Sequence, residues 1–358
     1  MKVLILGYHP TAGQSMKRYS QVLVDAYSEL GHDVKILTPT GLISRTIPIL
    51  FVRKYFVYVE KLLIFPLSLI TKLGQFEITH IADHSDGIWA NYPWIKPTYI
   101  TCHDLIAIKS AYGDIGEHKT KLFGHIYQSL IRRGLGLGKE ILCVSKTTLI
   151  DVQKYFPASK SSYFPNPVDP AFYANSKYID LKGNDKRHFL IIGNSNWRKR
   201  RIDAIDVWCK LNTNANSQDA VIPLVVIGPN LNKAERDKID AELISYVRIM
   251  KSVTEDELAL YYRQAFALIQ MSIYEGFCWP VVESNSLGTV CICNDISILR
   301  EVGPHNVFIN LHNKSLIWHE ILSALRSEER IADCKISSSA YSWETFKENI
   351  STNLVSED

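Results

Sequence analysis

The sequence predicts an α/β protein made of two doubly wound, Rossmann-like halves, each a parallel sheet with helices on both faces. Three observations carry that expectation. Short, continuously apolar runs recur between amphipathic helical stretches, the pattern of strands buried on both faces. Two of the runs in the second half end directly on glycine. The alternation stops once, between Tyr163 and Lys186, in a stretch holding Pro165, Pro167, Pro170 and Gly183, and then starts again.

Element by element, Val3–Leu6 is the opening strand. A loop from Gly7 to Gln14 follows, and Ser15 is placed to cap a helix carrying Val22, Leu23, Ala26 and Leu30. Gly31 stops that helix and Val34–Leu37 is the second strand. Ile78–Ala82, Pro97–Thr101 and Ile141–Ser145 complete the first sheet. The second begins with Phe189–Ile192 and Leu224–Ile227, ended by Gly193 and Gly228. Tyr246–Met250, Ala267–Gln270 and Val290–Cys293 follow, and Thr254 with Glu257 forms a capping box ahead of one helix. Ligands of such folds sit at the carboxyl ends of the strands, and the cleft between the halves is the expected site.

Composition narrows the function. The chain has 358 residues, about two domains at roughly 150 residues each. Hydrophobic residues make up 46% and charged residues 22%, which excludes a disordered or collagen-like chain. With 40 Lys and Arg against 37 Asp and Glu, the net charge of +3 is far from that of a protein that coats nucleic acid, and no nucleic-acid partner is expected. Seven cysteines without a Cys-x-x-Cys point to reduced thiols and a cytoplasmic address. His9-Pro10 ends the first apolar run far short of a signal-peptide core.

Two phosphate motifs fail in the first loop. A P-loop needs four residues between its glycines and then Lys, whereas five separate Gly7 from Gly13, and Gln14 follows. A dinucleotide fingerprint needs Gly-x-Gly-x-x-Gly and an acid after the second strand, which here runs out into Thr38-Pro39. There is no Asp-x-Asp to clamp a metal diphosphate. Any diphosphate must therefore be neutralised by protein cations and helix ends; no metal and no cofactor is expected.

The chemistry concentrates in Glu275-Gly276-Phe277-Cys278-Trp279-Pro280-Val281-Val282-Glu283, after the strand ending at Gln270. Pro280 suits the first position of a helix, whose N–H groups from Val281 onward make an anion seat. Glu275 in the loop and Glu283 in the first helical turn can grip hydroxyls at the two ends of a nucleotide sugar. On the other reading Glu283 complements the helix dipole and Glu275 is a solvated loop residue.

Set in Glu-Gly-Phe-x-x-Pro-x-x-Glu, the pair resembles the signature of the family 4 glycosyltransferases, retaining enzymes of the GT-B fold. Gly193-Asn194 with Arg198-Lys199 is similar to that family's diphosphate-binding segment, and Thr101-Cys102-His103-Asp104-Leu105 to its His-Asp strand end. Phe164 to Asp169 resembles its lead into the linker, and Glu301 its downstream acid. Two departures stand out: the first loop keeps only Gly13 of a glycine-rich segment, and Cys278 stands where glycine is frequent.

The resemblance implies two domains facing each other across a cleft. Residues 1–165 would bind the acceptor, 166–185 would link, 186–340 would bind the nucleotide-sugar donor, and 341–358 would form a helix crossing back to the first domain. It implies catalytic roles for His103, Glu275 and Lys199, and donor contacts from Gly13, Arg198, Lys199, Gly276, Phe277, Cys278, Val282 and Glu283. Lys199 with Arg198 would neutralise the leaving diphosphate, although four cations in a row (Arg198 to Arg201) also read as a solvated run. His103 would bond the donor sugar or the leaving phosphate, or else be a core histidine partnered by Asp104. The implied reaction moves a hexose from a UDP- or GDP-sugar to a glycan or lipid-linked acceptor in bacterial surface polysaccharide synthesis. A GT-B phosphorylase, a sugar-nucleotide epimerase and a non-catalytic glycan-binding subunit are the rivals.

The last segment of note is Ile49–Phe65, apolar except for Arg53-Lys54 and Glu60-Lys61, which a helix places on one stripe. It reads as a buried helix whose polar stripe meets solvent, or as a helix on the inner membrane face. From Arg45 to Leu73 five cations stand against Glu60, a net of +4.

Overall fold

A computed structural model describes residues 1–10, 13–46, 50–117, 120–168, 188–213, 220–310 and 318–355. The chain divides into two compact units: Met1–Asn166 together with Glu344–Asp358, and Pro167–Trp343. The expected linker lies, from residue 169 on, outside the described residues.

The first unit is a six-stranded parallel sheet in the order β2-β1-β3-β4-β5-β6. Its strands are β1 (Lys2–Leu6), β2 (Asp33–Leu37), β3 (Ile78–Ile81), β4 (Tyr99–Cys102), β5 (Glu140–Cys143) and β6 (Ser161–Tyr163). Residues of β3, β4 and β5 are buried throughout, the reason their sequences do not alternate. The second unit repeats the architecture with β7 (His188–Ile192), β8 (Leu224–Ile227), β9 (Val247–Met250), β10 (Ala265–Gln270), β11 (Cys291–Asn294) and β12 (Val307–Ile309). Its order, β12-β11-β10-β7-β8-β9, reverses direction between β7 and β10, so the carboxyl ends of those two strands form the topological switch point where such sheets hold ligands. In the first unit the switch lies between β1 and β3. The edge strands β6 and β12, three residues each and partly exposed, were not foreseen from hydropathy.

Local signals were mostly met. Thr254 and Glu257 form both limbs of the capping box on the helix Glu255–Gln264. Gly31 takes φ +80° after the helix Gln14–Glu29. Ser15 is not the cap of that helix: Gly13 is, without a side-chain bond, and Ser15 lies inside the first turn. All seven cysteines are buried free thiols.

The Ile49–Phe65 segment departs most from expectation. Ile49 is outside the described residues, but from Leu50 the chain runs as α-helix to Val59, a π-helical turn at Glu60–Ile64 and a final α-turn at Phe65–Ser68. Pro66 does not end it: it stands in the first turn of the last segment, and the Leu62 carbonyl that its N–H would have served accepts from the Tyr92 hydroxyl. Glu60 and Lys61 turn away from solvent. Glu60 is buried, taking N–H bonds from Ile43 and Ser44 and facing His9 at 3.1 Å, while Lys61 pairs with buried Asp86 at 2.6 Å. The Glu60–Lys61 end of the polar stripe points inward and an apolar stripe points out.

Candidate functional site

At the switch point of the second sheet, two loops are bound into one surface. After β7, Gly193 takes φ +130°, and on the adjacent strand Gly228 takes φ +149°, where a Cβ would come within 2.3 Å of the Gly193 carbonyl. That close approach, with the positive φ, requires glycine at 228. The chain then makes a short 3-10 turn, Trp197–Lys199, capped by Asn196. It meets the loop after β10 through the Ile273 N–H, which donates to the Arg198 carbonyl at 2.9 Å, and through the Trp197 and Tyr274 rings, 5.5 Å apart.

Glu275 sits where these loops join, its side chain buried. Lys199 Nζ donates to Oε1 at 2.6 Å and Arg198 to Oε2 at 2.9 Å. The Ser272 hydroxyl donates to Oε1 at 2.8 Å, with Gln270 Nε2 3.3 Å away. Burial works against ionisation of this carboxyl, but Lys199 and Arg198 outweigh it and hold Glu275 below the usual glutamate range. Three of the site residues assigned from sequence, Lys199, Arg198 and Glu275, are thus one cluster, and Glu275 is no solvated loop residue.

The four-cation run is not a solvated run either. Arg200, in the left-handed region at φ 49°, pairs with Asp203 at the surface. Arg201 is buried and holds Glu235 through Nε at 2.8 Å and a terminal nitrogen at 2.6 Å, while also donating to the Gly193, Pro229 and Asn230 carbonyls and the Ser195 hydroxyl. Glu235 in turn completes a capping box with Asn232. This pair props the loops after β7 and β8, and sequence reasoning missed it because its partners lie 34 residues apart.

Several donor-side expectations need correction. The helix after Glu275 runs Trp279–Ser286 with Cys278 as its N-cap, so Pro280 is second rather than first, and Glu283 lies in the second turn, beyond the reach of the helix dipole. The Val281 N–H, expected to face an anion, donates to the Cys278 carbonyl at 3.1 Å. Glu283 is buried and accepts from the Tyr262 hydroxyl at 2.8 Å. Gly276, Phe277, Cys278 and Val282 are buried too, with Phe277 edge-on to Tyr341. Cys278 takes φ 70°, a conformation that favours glycine, and burial pushes its thiol well up.

In the first unit, β3 and β4 both end in a histidine–aspartate pair. His103 Nε2 lies 3.0 Å from the Ala82 carbonyl; a carbonyl only accepts, so Nε2 carries the proton and Nδ1 is left as an acceptor. Its partner is therefore Ala82 and not Asp104, whose Oδ1 takes the Ile106 N–H at 2.9 Å. Burial lowers the His103 pKa against the pull of Asp83, so the ring is neutral near pH 7. The second pair, Asp83-His84, was not singled out. His84 stands 3.2 Å from Asp83 and 4.0 Å from Asp104, and its ring centre is 6.4 Å from that of His103. The signal was present in Ala82-Asp83-His84 directly after a strand. Gly13 opens the helix after β1, with nothing within 4 Å of where its Cβ would be. Among the described residues no group of three or more His, Cys, Asp or Glu side chains is placed to hold a metal.

Two parallel α/β units, the second with a cation–carboxylate cluster at its switch point, are the architecture of the GT-B fold. Solved structures agree on the fold. Sucrose-phosphate synthase from Thermosynechococcus elongatus superposes with a TM-score of 0.70 at 13% identity, covering 98% of this chain and 97% of that one. An α,α-trehalose-phosphate synthase (UDP-forming) from Burkholderia vietnamiensis gives 0.71 at 9% identity, covering 99% and 97%.

Family models narrow the class: "Glycosyltransferase Family 4" matches residues 16–172 and "Glycosyl transferases group 1" residues 175–340. Together they span most of the sequence, and the chain belongs to the family 4 glycosyltransferases. A curated relative, the O-antigen chain mannosyltransferase RfbU of Salmonella typhimurium, is 24% identical over 326 residues, 88% of this chain and 81% of that protein.

Proposed function

We propose that the chain is a retaining, metal-independent hexosyltransferase that moves a sugar from a UDP- or GDP-hexose to a glycan or lipid-linked glycan in surface polysaccharide assembly. The observation that carries this reading is the meeting of Lys199, Arg198 and Glu275 at the switch point of the second sheet. When a nucleoside diphosphate departs, charge grows on its β-phosphate. Lys199 spends one of its three N–H bonds on Glu275, and the others serve that oxygen. Preorganised cations at a developing anion lower a barrier by several kcal/mol. Glu275, kept ionised, orients the donor sugar's hydroxyls. Glu283 serves the ribose, reached by a shift of the side chain from its buried position. His103, with Nδ1 as acceptor, takes a sugar hydroxyl. The first unit binds the acceptor, and the departing phosphate removes the acceptor's proton on the same face, with no covalent enzyme intermediate. That the Salmonella relative is an O-antigen chain mannosyltransferase supports a surface-glycan product and a mannosyl donor among the candidates. The workplace is the cytoplasmic face of the membrane, where a lipid-linked acceptor is presented.

A thermal-shift screen of UDP- and GDP-sugars tests the donor, since a ligand at a hundred times its dissociation constant adds about 2.7 kcal/mol. Donor turnover should require an added glycan acceptor and survive EDTA. Epimerised donor without acceptor, or activity abolished by chelation and restored by Mg²⁺ or Mn²⁺, contradicts the proposal.

A further inference from the structure

We propose that the helical run Leu50–Ser68 and the helix Leu122–Leu135 form one apolar, cation-rimmed face that docks the first unit on an anionic lipid surface. The proposal deepens the membrane reading above by naming the surface. Along the first run Tyr55, Val59, Leu63 and Leu67 are exposed at intervals of four residues, a single stripe, with Tyr55 at 56% and Leu63 at 54%. On the second helix Leu122, Phe123, Ile126 and Leu130 form a matching stripe, with Leu122 at 75% and Phe123 at 87%. The helices are neighbours: the Tyr58 and Tyr127 rings meet at 5.4 Å, and Lys61 Nζ lies 6.0 Å from the centre of the Tyr127 ring.

The outward stripe is held there. Buried Glu60 and the Lys61–Asp86 pair fix the rotation of the first run. Three aromatic donors pin its carbonyls from behind: Trp89 on Lys61 at 2.8 Å, Tyr92 on Leu62, and Trp94 on Pro66 at 2.9 Å. The run thus turns Glu60 and Lys61 in and Tyr55, Val59, Leu63 and Leu67 out, the reverse of a helix that faces only water.

Charge selects the occupant. Residues 121–139 contain four cations (Lys121, Arg132, Arg133 and Lys139) and no acid, and Lys72, Lys121, Arg133 and Lys139 are exposed. The one acid between Arg45 and Leu73 is the buried Glu60. A second copy would bring the same positive rim against itself, which like charges oppose. An anionic bilayer offers negative charge at the rim and hydrocarbon beneath it. No helix among the described residues is long and apolar enough to cross a membrane, so the contact is peripheral.

Sedimentation with vesicles of phosphatidylglycerol and phosphatidylcholine in equal parts tests this without any nucleotide sugar. The wild type should pellet with them at low salt and much less with phosphatidylcholine alone. Leu122→Glu with Phe123→Glu should weaken partitioning at least tenfold while leaving the melting temperature unchanged. Ile336→Glu, equally exposed on the second unit's helix Glu328–Ser338, should have no effect. Lys121→Glu with Arg133→Glu, which touches only exposed cations, gives an independent variant with the same expected loss. A wild type that never pellets, stripe variants that pellet as well as Ile336→Glu, or a concentration-dependent dimer broken by the stripe variants without lipid binding would each overturn the proposal. Donor binding by thermal shift is a separate readout, so its failure would count against the transferase reading and leave the lipid surface standing.

Discussion

Two carboxylate–cation sites grow from one four-residue run, and they are built to opposite ends. At Glu235, Arg201 is buried and its guanidinium donates to a carboxylate, a hydroxyl and three carbonyls, so nothing is left for a ligand. At Glu275, Lys199 and Arg198 are each about a quarter exposed (21% and 28%), on the open side of a buried carboxylate. The first site holds two loops in place; the second uses that placement. A full set of partners marks a structural charge, and a partly exposed cation on a buried anion marks one available for exchange.

The largest expected effect tests the closed site. Arg201→Met leaves Glu235 buried without its cation, a loss on the order of 3–5 kcal/mol, read in the urea midpoint. A variant of wild-type stability would remove the distinction between the sites. Next, Glu275→Gln should keep the fold but lower turnover with the true donor about a hundredfold, or about 2.7 kcal/mol in the barrier. Lys199→Ala should cost at least tenfold in turnover, while Lys210→Ala, which removes a surface pair with Asp206, should be silent. Equal kinetics for the two lysine variants would make Lys199 structural.

The acid limb sharpens the same contrast. Because Glu275 is held below its ordinary range, its contribution is complete above that range, roughly pH 4.3, and is lost only as pH falls through the lower folded value. Donor affinity should therefore be flat from pH 7 to about 5, and this acid limb should vanish in Glu275→Gln. The smallest effect concerns the helix start. Cys278→Gly should be about 1 kcal/mol more stable than Cys278→Ala in thermal melts, because both lose the thiol but only glycine escapes the left-handed penalty.

What was legible followed from short-range rules. Buried strands, glycine strand ends and the Thr254 capping box are written within a few residues of themselves. Glu275, Lys199 and Arg198 were found by motif, yet their direct contact was not, because it depends on strand order. The Ile49–Phe65 helix shows the limit best. Amphipathic periodicity locates a stripe but not the direction it faces, and here Asp86, His9 and the backbone of Ile43 and Ser44, all distant in sequence, drew Glu60 and Lys61 inward. Likewise the partner of His103 is a carbonyl, which leaves no trace in residue identity.

The first unit is finished by residues made after the whole of the second. Glu344–Asp358 belong to it, and within that tail the Leu354 carbonyl accepts from buried Tyr99 of β4, Phe346 packs on Phe164, and Lys347 pairs with Glu29. During synthesis the ribosome therefore delivers all of the second unit before the first can close its core. The early-made sheet must wait, without its covering tail, for roughly half the chain, which gives it a window of exposure to chaperones that the later unit, contiguous in sequence, does not share.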